Sequence, residues 1–374
     1  MHHVRLLHIT PELPPNVGGI ADYTAILSRR LVEVSEGSVV PTLIRAGWKG
    51  DGPEPDTEFD TVDCAGECDP AILARTIQKH ADSADRTVVL LQYSGYGYAQ
   101  RGAPWWLVRG LQQACGASGI PLITMFHEIR AWDPRPWTSA FWFSLLQTHI
   151  ARRLAQLSRR IITNHPAGAE TVQSFASETP VDVCPVFSNV GEPTSRVPYE
   201  QRSPVAILFG GKAMKREVYH EHSSTLNAFV DQWDIDTIID IGSVVDFPAG
   251  AIDVPVDVRG IQPVTEISAC MAKARVGLLR YPSAYATKSG ILASLMAHGV
   301  VPVIFDTSSQ EGVLIRSTHF LDIEEAENAD PNRKGSMVSK EAAKWYEQNA
   351  HSERTASIFL SHMYELTRKS HNSA

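Results

Sequence analysis

The sequence predicts an α/β protein built as two Rossmann-like halves, each a parallel sheet covered by helices. Three observations carry this. Short β-branched runs alternate with helical segments, the pattern restarts after a polar stretch, and 374 residues exceed one ordinary core.

In the first half the runs are VRLLHIT (4–10), VVPTLIR (39–45), VVLLQYS (88–94), PLITMFH (121–127) and RRIITNH (159–165). The stretch GEPTSRVPYEQRSP (191–204) then interrupts the pattern. It resumes with VAILFGG (205–211), TIIDIGS (237–243), VDVRGI (256–261), ARVGLLRYP (274–282) and GVVPVIF (299–305). A polar loop, EEAENADPNRKGS, precedes two closing helices over 339–348 and 353–368. The domains expected are 1–195, 196–350 and a terminal helical segment, 351–374.

Lys plus Arg total 34 against 42 for Asp plus Glu, giving a net charge of −8 with no block of like charge. That argues against nucleic acid as a partner. The apolar start, MHHVRLLHIT, is short and lacks a small-residue cleavage site, and no run approaches the roughly 18 apolar residues a membrane span needs. Five scattered cysteines fit a reducing compartment, so a soluble, cytoplasmic protein is expected. Cys64 and Cys68 lack a second Cys/His pair, and no metal site is expected.

A dinucleotide enzyme would carry G-x-G-x-x-G after the first strand, and this chain does not. Gly18 and Gly19 instead open a helix there, where backbone N–H groups and the helix terminus favour an anion. A second such joint is YATKSGILASLMAHG (285–299), with Lys288, Ser289 and Gly290 at the helix start. A third is FGGKAMKRE (209–217), where Gly211 and Lys212 follow a strand; Lys215 and Arg216 read as solvated surface. Ligands of doubly wound sheets sit beyond the carboxyl ends of the strands, so these loops are candidate diphosphate contacts.

Taken together, PPNVGGIADYTAILSRRL, ILFGGKAMKR and VRGIQPVTEISACMAKARVGLLRYPSAYATKSGILASLMAHGVVPVI resemble the GT-B glycosyltransferases of the large retaining family 4 (glycosyl transferases group 1). The resemblance runs through most of the chain. It implies two Rossmann-like domains facing a central cleft, a terminal helix crossing back to the first, and transfer of a hexose from a nucleoside-diphosphate sugar. The second domain would bind the donor, a UDP-, GDP- or other NDP-hexose, and the first a carbohydrate or lipid-linked acceptor. Retention without metal or cofactor is implied, as is work in cell-envelope or polysaccharide synthesis. Gly18, Gly19, Gly211, Lys212, Gly260, Ile261, Lys288, Ser289, Gly290 and Ser294 form the implied donor set, and His127 stands where the family has a histidine beside the donor sugar. Lys212 replaces an arginine, which keeps charge but loses the bidentate fork. His127, Lys212 and Lys288 are the residues expected to act in catalysis.

The chain departs from the family at its E-x7-E signature, where Ala286 and Ser294 stand. The lost sugar and ribose contacts would come from Tyr285, Thr287 or Ser294. The front-face mechanism that the resemblance implies needs no protein nucleophile, so the departure concerns donor identity first. On the acceptor side Tyr96, Tyr98, Trp105 and Trp132 are candidate stacking rings, with Glu128 and Arg130 as polar contacts. The segment HIARRLAQLSRR pairs Arg152 with Arg159 and Arg153 with Arg160 on helical faces that would suit peripheral contact with anionic lipid. Two alternatives remain: a catalytically silent nucleotide-sugar-binding protein, and a nucleotide-sugar epimerase.

Overall fold

A computed structural model describes residues 3–16, 18–82, 86–116, 118–130, 139–248, 250–306 and 312–369. The chain divides into two compact units, Met1–Pro185 with Ser352–Ala374, and Val186–His351.

Among the described residues, the first unit holds a seven-stranded parallel sheet of β1 (Val4–Thr10), β2 (Val39–Arg45), β3 (Asp60–Asp63), β4 (Thr87–Tyr93), β5 (Leu122–Phe126), β6 (Arg160–Thr163) and β7 (Val181–Val183). Their order is β3-β2-β1-β4-β5-β6-β7. All seven residues of β4 are buried, as expected of a central strand covered on both faces. The helix Gly19–Val34 lays Ala21, Tyr23, Thr24, Leu27, Ser28 and Leu31 inward at three- and four-residue spacing. The terminal helix Ser352–Lys369 belongs to this unit and packs on Gly19–Val34. Arg30 donates to Ser352 Oγ at 2.9 Å, and His362 pairs with Asp182 at 2.8 Å.

The second unit holds β8 (Ser203–Gly210), β9 (Thr237–Gly242), β10 (Val256–Gly260), β11 (Ala274–Leu279), β12 (Val301–Ile304) and β13 (Leu321–Asp322), parallel, in the order β10-β9-β8-β11-β12-β13. Separate apolar clusters fill its two faces, one around Trp233, Phe229 and Val338, the other around Ile207, Met271 and Leu295. In each sheet the strand order reverses once, between β1 and β4 and between β8 and β11. Those reversals open room at the strands' carboxyl ends, where ligands of such sheets bind.

Two sequence expectations fail here. The polar segment after Asp322 is helical rather than a loop: Ile323–Ala326 forms one turn, and Pro331–Asn349 begins where Asp330 accepts from the Asn332 and Arg333 N–H groups. Proline in the first turn costs no hydrogen bond there, so this start is favourable despite its polarity. The basic faces also break up. The helix Ser139–Leu157 ends before Arg159, and Arg160 lies on β6, paired with Glu365 at 2.5 Å.

Candidate functional site: the strand ends of each unit

At the first unit's reversal, β1 leads through Pro11 and Glu12 to the helix that starts at Gly19. Gly18 has φ −167°, an extended conformation open to any residue, so freedom of the backbone does not explain it. Space does: a Cβ on Gly18 would fall on Glu12 Oε1. The Glu12 carboxyl also accepts from the Ala21 N–H, while burial raises its pKa against the pull of that bond and of Lys49. The anion at this helix start is therefore the chain's own carboxylate. Among the described residues, nothing stands within 4 Å of a Cβ placed on Gly19.

His127 follows β5 and is half-buried. Its backbone N–H donates to the Tyr93 carbonyl at 3.0 Å, and its ring and that of Tyr23 meet at right angles with centroids 4.9 Å apart. His127 Nε2 lies 2.7 Å from Gln92 Oε1, behind which stands a fully buried histidine, His8. Sequence reasoning missed both residues, because polar side chains inside a β-branched run look like strand alternation.

Just after His127 in the chain, Glu128, Ile129 and Arg130 line an open, shallow hollow together with Gly95, Tyr96, Gly102 and Gln147. Three of the six acceptor candidates, Tyr96, Glu128 and Arg130, thus share one depression. Gln147 donates to Tyr96 Oη at 3.3 Å and Ser94 to Glu128 Oε2 at 3.1 Å, which fixes the ring and the carboxylate. Gly102, at φ +69°, passes so close that a Cβ would stand 2.7 Å from Gln147 Nε2. Tyr98 is a correction: it has no exposure, and its hydroxyl donates to the Gln92 carbonyl at 3.0 Å. It is core, not a stacking platform. Trp105 is partly buried against the same core, and Trp132 lies outside the described residues.

In the second unit β8 ends at Gly210, and Gly211 precedes the short helix Lys212–Arg216. Lys212 is exposed. Lys215, read as solvated surface, is instead fully buried. It pairs with Asp240 on β9 and donates to the Ser243 carbonyl at 3.0 Å, while Tyr219 donates to the other Asp240 oxygen at 2.7 Å. A buried cation needs such partners, and a sequence window cannot see one that is 25 residues away.

Beyond β11, Arg280 is matched by Glu217 at 3.1 Å and Asp306 at 3.8 Å, and a tight turn spans Ser283–Lys288. Ser289 then caps the helix Gly290–Ala297, its hydroxyl accepting from the Leu292 N–H at 3.1 Å. Its own N–H donates to the Ala286 carbonyl at 3.1 Å, so it is not turned outward as expected. Gly290 and Ile291 supply the first-turn N–H groups that Ser289 does not cap. Lys288 is half-buried beside them. Thr287 is 5% exposed, and its hydroxyl has no hydrogen-bond partner among the described residues. Ser294 is fully buried: its single hydroxyl proton is shared between Asn189 Oδ1 at 2.8 Å and the Gly290 carbonyl at 2.7 Å, and the oxygen accepts from Ser188 at 3.0 Å. That hydroxyl holds the helix to the segment 188–189.

Gly260, at φ +68°, ends β10, and Ile261 is 68% exposed. Val244, 59% exposed, would stand 3.9 Å from a Gly260 Cβ, giving an apolar surface at that strand end.

No protein-family model matches the chain, and no curated protein matches it in sequence. Solved structures do match it. HepE of Anabaena, determined in complex with UDP-glucose, aligns over the whole of both chains at 14% identity and TM-score 0.58. Sucrose-phosphate synthase of Thermosynechococcus elongatus aligns over the whole of both chains at 12% and 0.63. A putative UDP-N-acetylglucosamine 2-epimerase of Listeria monocytogenes covers 98% of each chain at 11% and 0.56. The fold is GT-B.

Within a GT-B chain the strand ends just described are where ligand chemistry is sought. At these identities the likeness fixes architecture and leaves the reaction to the residues. No described helix is long and apolar enough to cross a membrane.

Proposed function

We infer that the chain is a glycosyltransferase moving a hexose from a nucleoside-diphosphate sugar to a carbohydrate or lipid-linked acceptor, with retention and without a metal. The observation that carries this reading is the Thr287–Gly290 joint: among the described residues, a buried hydroxyl without a partner, a half-buried lysine and uncapped N–H groups at one strand-end turn. Such a constellation suits the two phosphates of a donor.

In this reading the diphosphate is held by Lys288 and the Gly290 and Ile291 N–H groups, and Thr287 takes the hydroxyl contact that the family's glutamates make elsewhere. Ser294, occupied inside the unit, drops out of the donor set. Val244 and Ile261 offer the nucleoside base an apolar face. As the sugar–oxygen bond breaks, charge grows on the departing diphosphate, and Lys288 stabilises it there. Lys212, exposed on its short helix, is the secondary phosphate contact. His127 supports the sugar, and the acceptor takes the hollow at Tyr96, Glu128 and Arg130. The lipid-linked alternative draws support from Leu145 and Leu146, 81% and 40% exposed on the helix that carries Gln147.

Incubation with UDP-, GDP-, ADP- and dTDP-hexoses tests the reading, with release of the nucleotide and the anomeric configuration of the product as readouts. Transfer with retained configuration in the presence of chelator is the expected result. Binding without turnover on any acceptor would replace it with a silent sugar-nucleotide binder, and conversion of the donor's own sugar with an epimerase.

A further inference from the structure

β1 is an interior strand, yet it carries an imidazole with no exposure. Burying polar groups at that depth is costly unless each is bonded. Here each one is. His8 Nδ1 lies 2.8 Å from Ser28 Oγ, His8 Nε2 lies 2.7 Å from Gln92 Nε2, and Gln92 Oε1 lies 2.7 Å from His127 Nε2. Gln92 and Ser28 are, like His8, fully buried.

The atom types decide who donates. An amide nitrogen only donates and an amide oxygen only accepts. Gln92 therefore needs a bare Nε2 on His8 and a protonated Nε2 on His127. A neutral His8 with a bare Nε2 carries its proton on Nδ1, which donates to Ser28. We propose that His8 and Gln92 are positioning residues for His127, fixing its ring proton on Nε2.

The arrangement is tied at both ends. Turning the amide over would demand the opposite state of both rings at once, with His127 bare at Nε2, His8 protonated there and Ser28 donating. Burial, and secondarily the neighbouring His127, pushes the His8 pKa down to about 3, so His8 does not take a second proton that would loosen the tie near neutral pH. The value of such a device is orientation: a histidine beside a reacting sugar is useful only if the same nitrogen always faces the same hydroxyl. The consequence for transfer rests on the function proposed above, whereas the proton positions do not.

Nitrogen-15 spectra of histidine-labelled protein near neutral pH, assigned with His8→Gln and His127→Gln variants, read the proton positions directly. The expected result is His8 protonated on Nδ1 and His127 on Nε2. His127 protonated on Nδ1, or both rings protonated on Nε2, overturns the proposal. These spectra need no turnover, so a failure of the glycosyltransferase reading and a failure of the relay are distinguishable. In a transfer assay Gln92→Leu should lower kcat by about 10- to 100-fold with donor KM changed by less than about threefold. It should cost nothing further in a His127→Ala background, and Gln92→Glu, which still accepts from Nε2, should retain more activity than the leucine variant. An equal loss from Gln92→Leu with and without His127 would show that Gln92 does not act through that ring. Should the leucine variant fail to fold, the wild-type spectra and the glutamate variant still decide.

Discussion

The two helix starts marked by glycine look alike in sequence and differ physically. At Gly18–Gly19 the chain fills the anion position with its own Glu12, and the missing side chain makes room for that carboxylate. At Ser289–Gly290 the helix is capped by a neutral hydroxyl, a lysine precedes it, and Thr287 keeps a buried hydroxyl unpaired. A glycine at a helix start reports only that backbone or neighbour comes close. Whether a ligand is invited depends on what already satisfies the N–H groups.

The largest expected effect follows from charge. Lys288→Ala removes a cation at the second helix start, and charge-assisted hydrogen bonds contribute about 1.5–3 kcal/mol, or roughly 10- to 100-fold in affinity. Calorimetric titration with the nucleoside-diphosphate sugar should show that loss. Unchanged affinity would remove the second joint from the donor site and leave the two helix starts equivalent.

Next comes the interior beneath the first helix start, where His8 bonds Ser28 of the same helix. Its folded pKa, about 3, lies below the unfolded value near 6.5, so both states hold it neutral at pH 7. Below pH 6.5 the unfolded chain gains the proton first, and stability falls as pH drops through the window between the two values. The contribution reaches about 2 kcal/mol by pH 5. Urea melts of wild type and His8→Gln between pH 7 and pH 5 should diverge accordingly, the variant giving the flatter profile. Parallel profiles would mean that His8 takes up its proton in the folded chain.

The third effect has opposite signs in two measurements. Thr287→Val keeps the shape and deletes a hydroxyl with no partner among the described residues. The free protein should therefore be unchanged or more stable by about 1 kcal/mol, since an unsatisfied buried group is removed. Donor affinity should fall by about five- to tenfold if that hydroxyl meets the sugar nucleotide. A loss of stability together with unaltered affinity would make Thr287 an ordinary packing residue.

What was legible in the sequence follows the same division between local and distant causes. The strand runs at 4–10, 88–94 and 205–211 announce themselves, because a strand buried on both faces is apolar along most of its length. β3, with the sequence DTVD, and the two-residue β13 lie at sheet edges and carry no such run. The Tyr96, Glu128 and Arg130 hollow was approachable from strand ends. Tyr98 was not separable from Tyr96, two positions away in the same glycine-rich stretch, because only the fold shows which ring turns inward. Lys215 and His8 were misread or missed for one reason: a buried ionisable group is identified by its partners, and Asp240 and Gln92 lie far along the chain.

The smallest effect tests the first helix start alone. Gly18→Ala places a methyl group on the Glu12 carboxylate, which is the far end of a flexible side chain and swings away rather than straining the backbone. What is lost is the interaction of that carboxylate with the helix terminus and the Ala21 N–H, about 0.5–1 kcal/mol. Glu12→Gln should cost a similar amount, and the double variant should cost no more than either single one, because both remove the same contact. Additive losses in thermal melts would separate the glycine from the glutamate and return Gly18 to a role of its own. The result bears on the comparison directly. If the carboxylate is the reason for the glycine, the first helix start has its anion already, and the diphosphate is left to Lys288, Gly290 and Ile291.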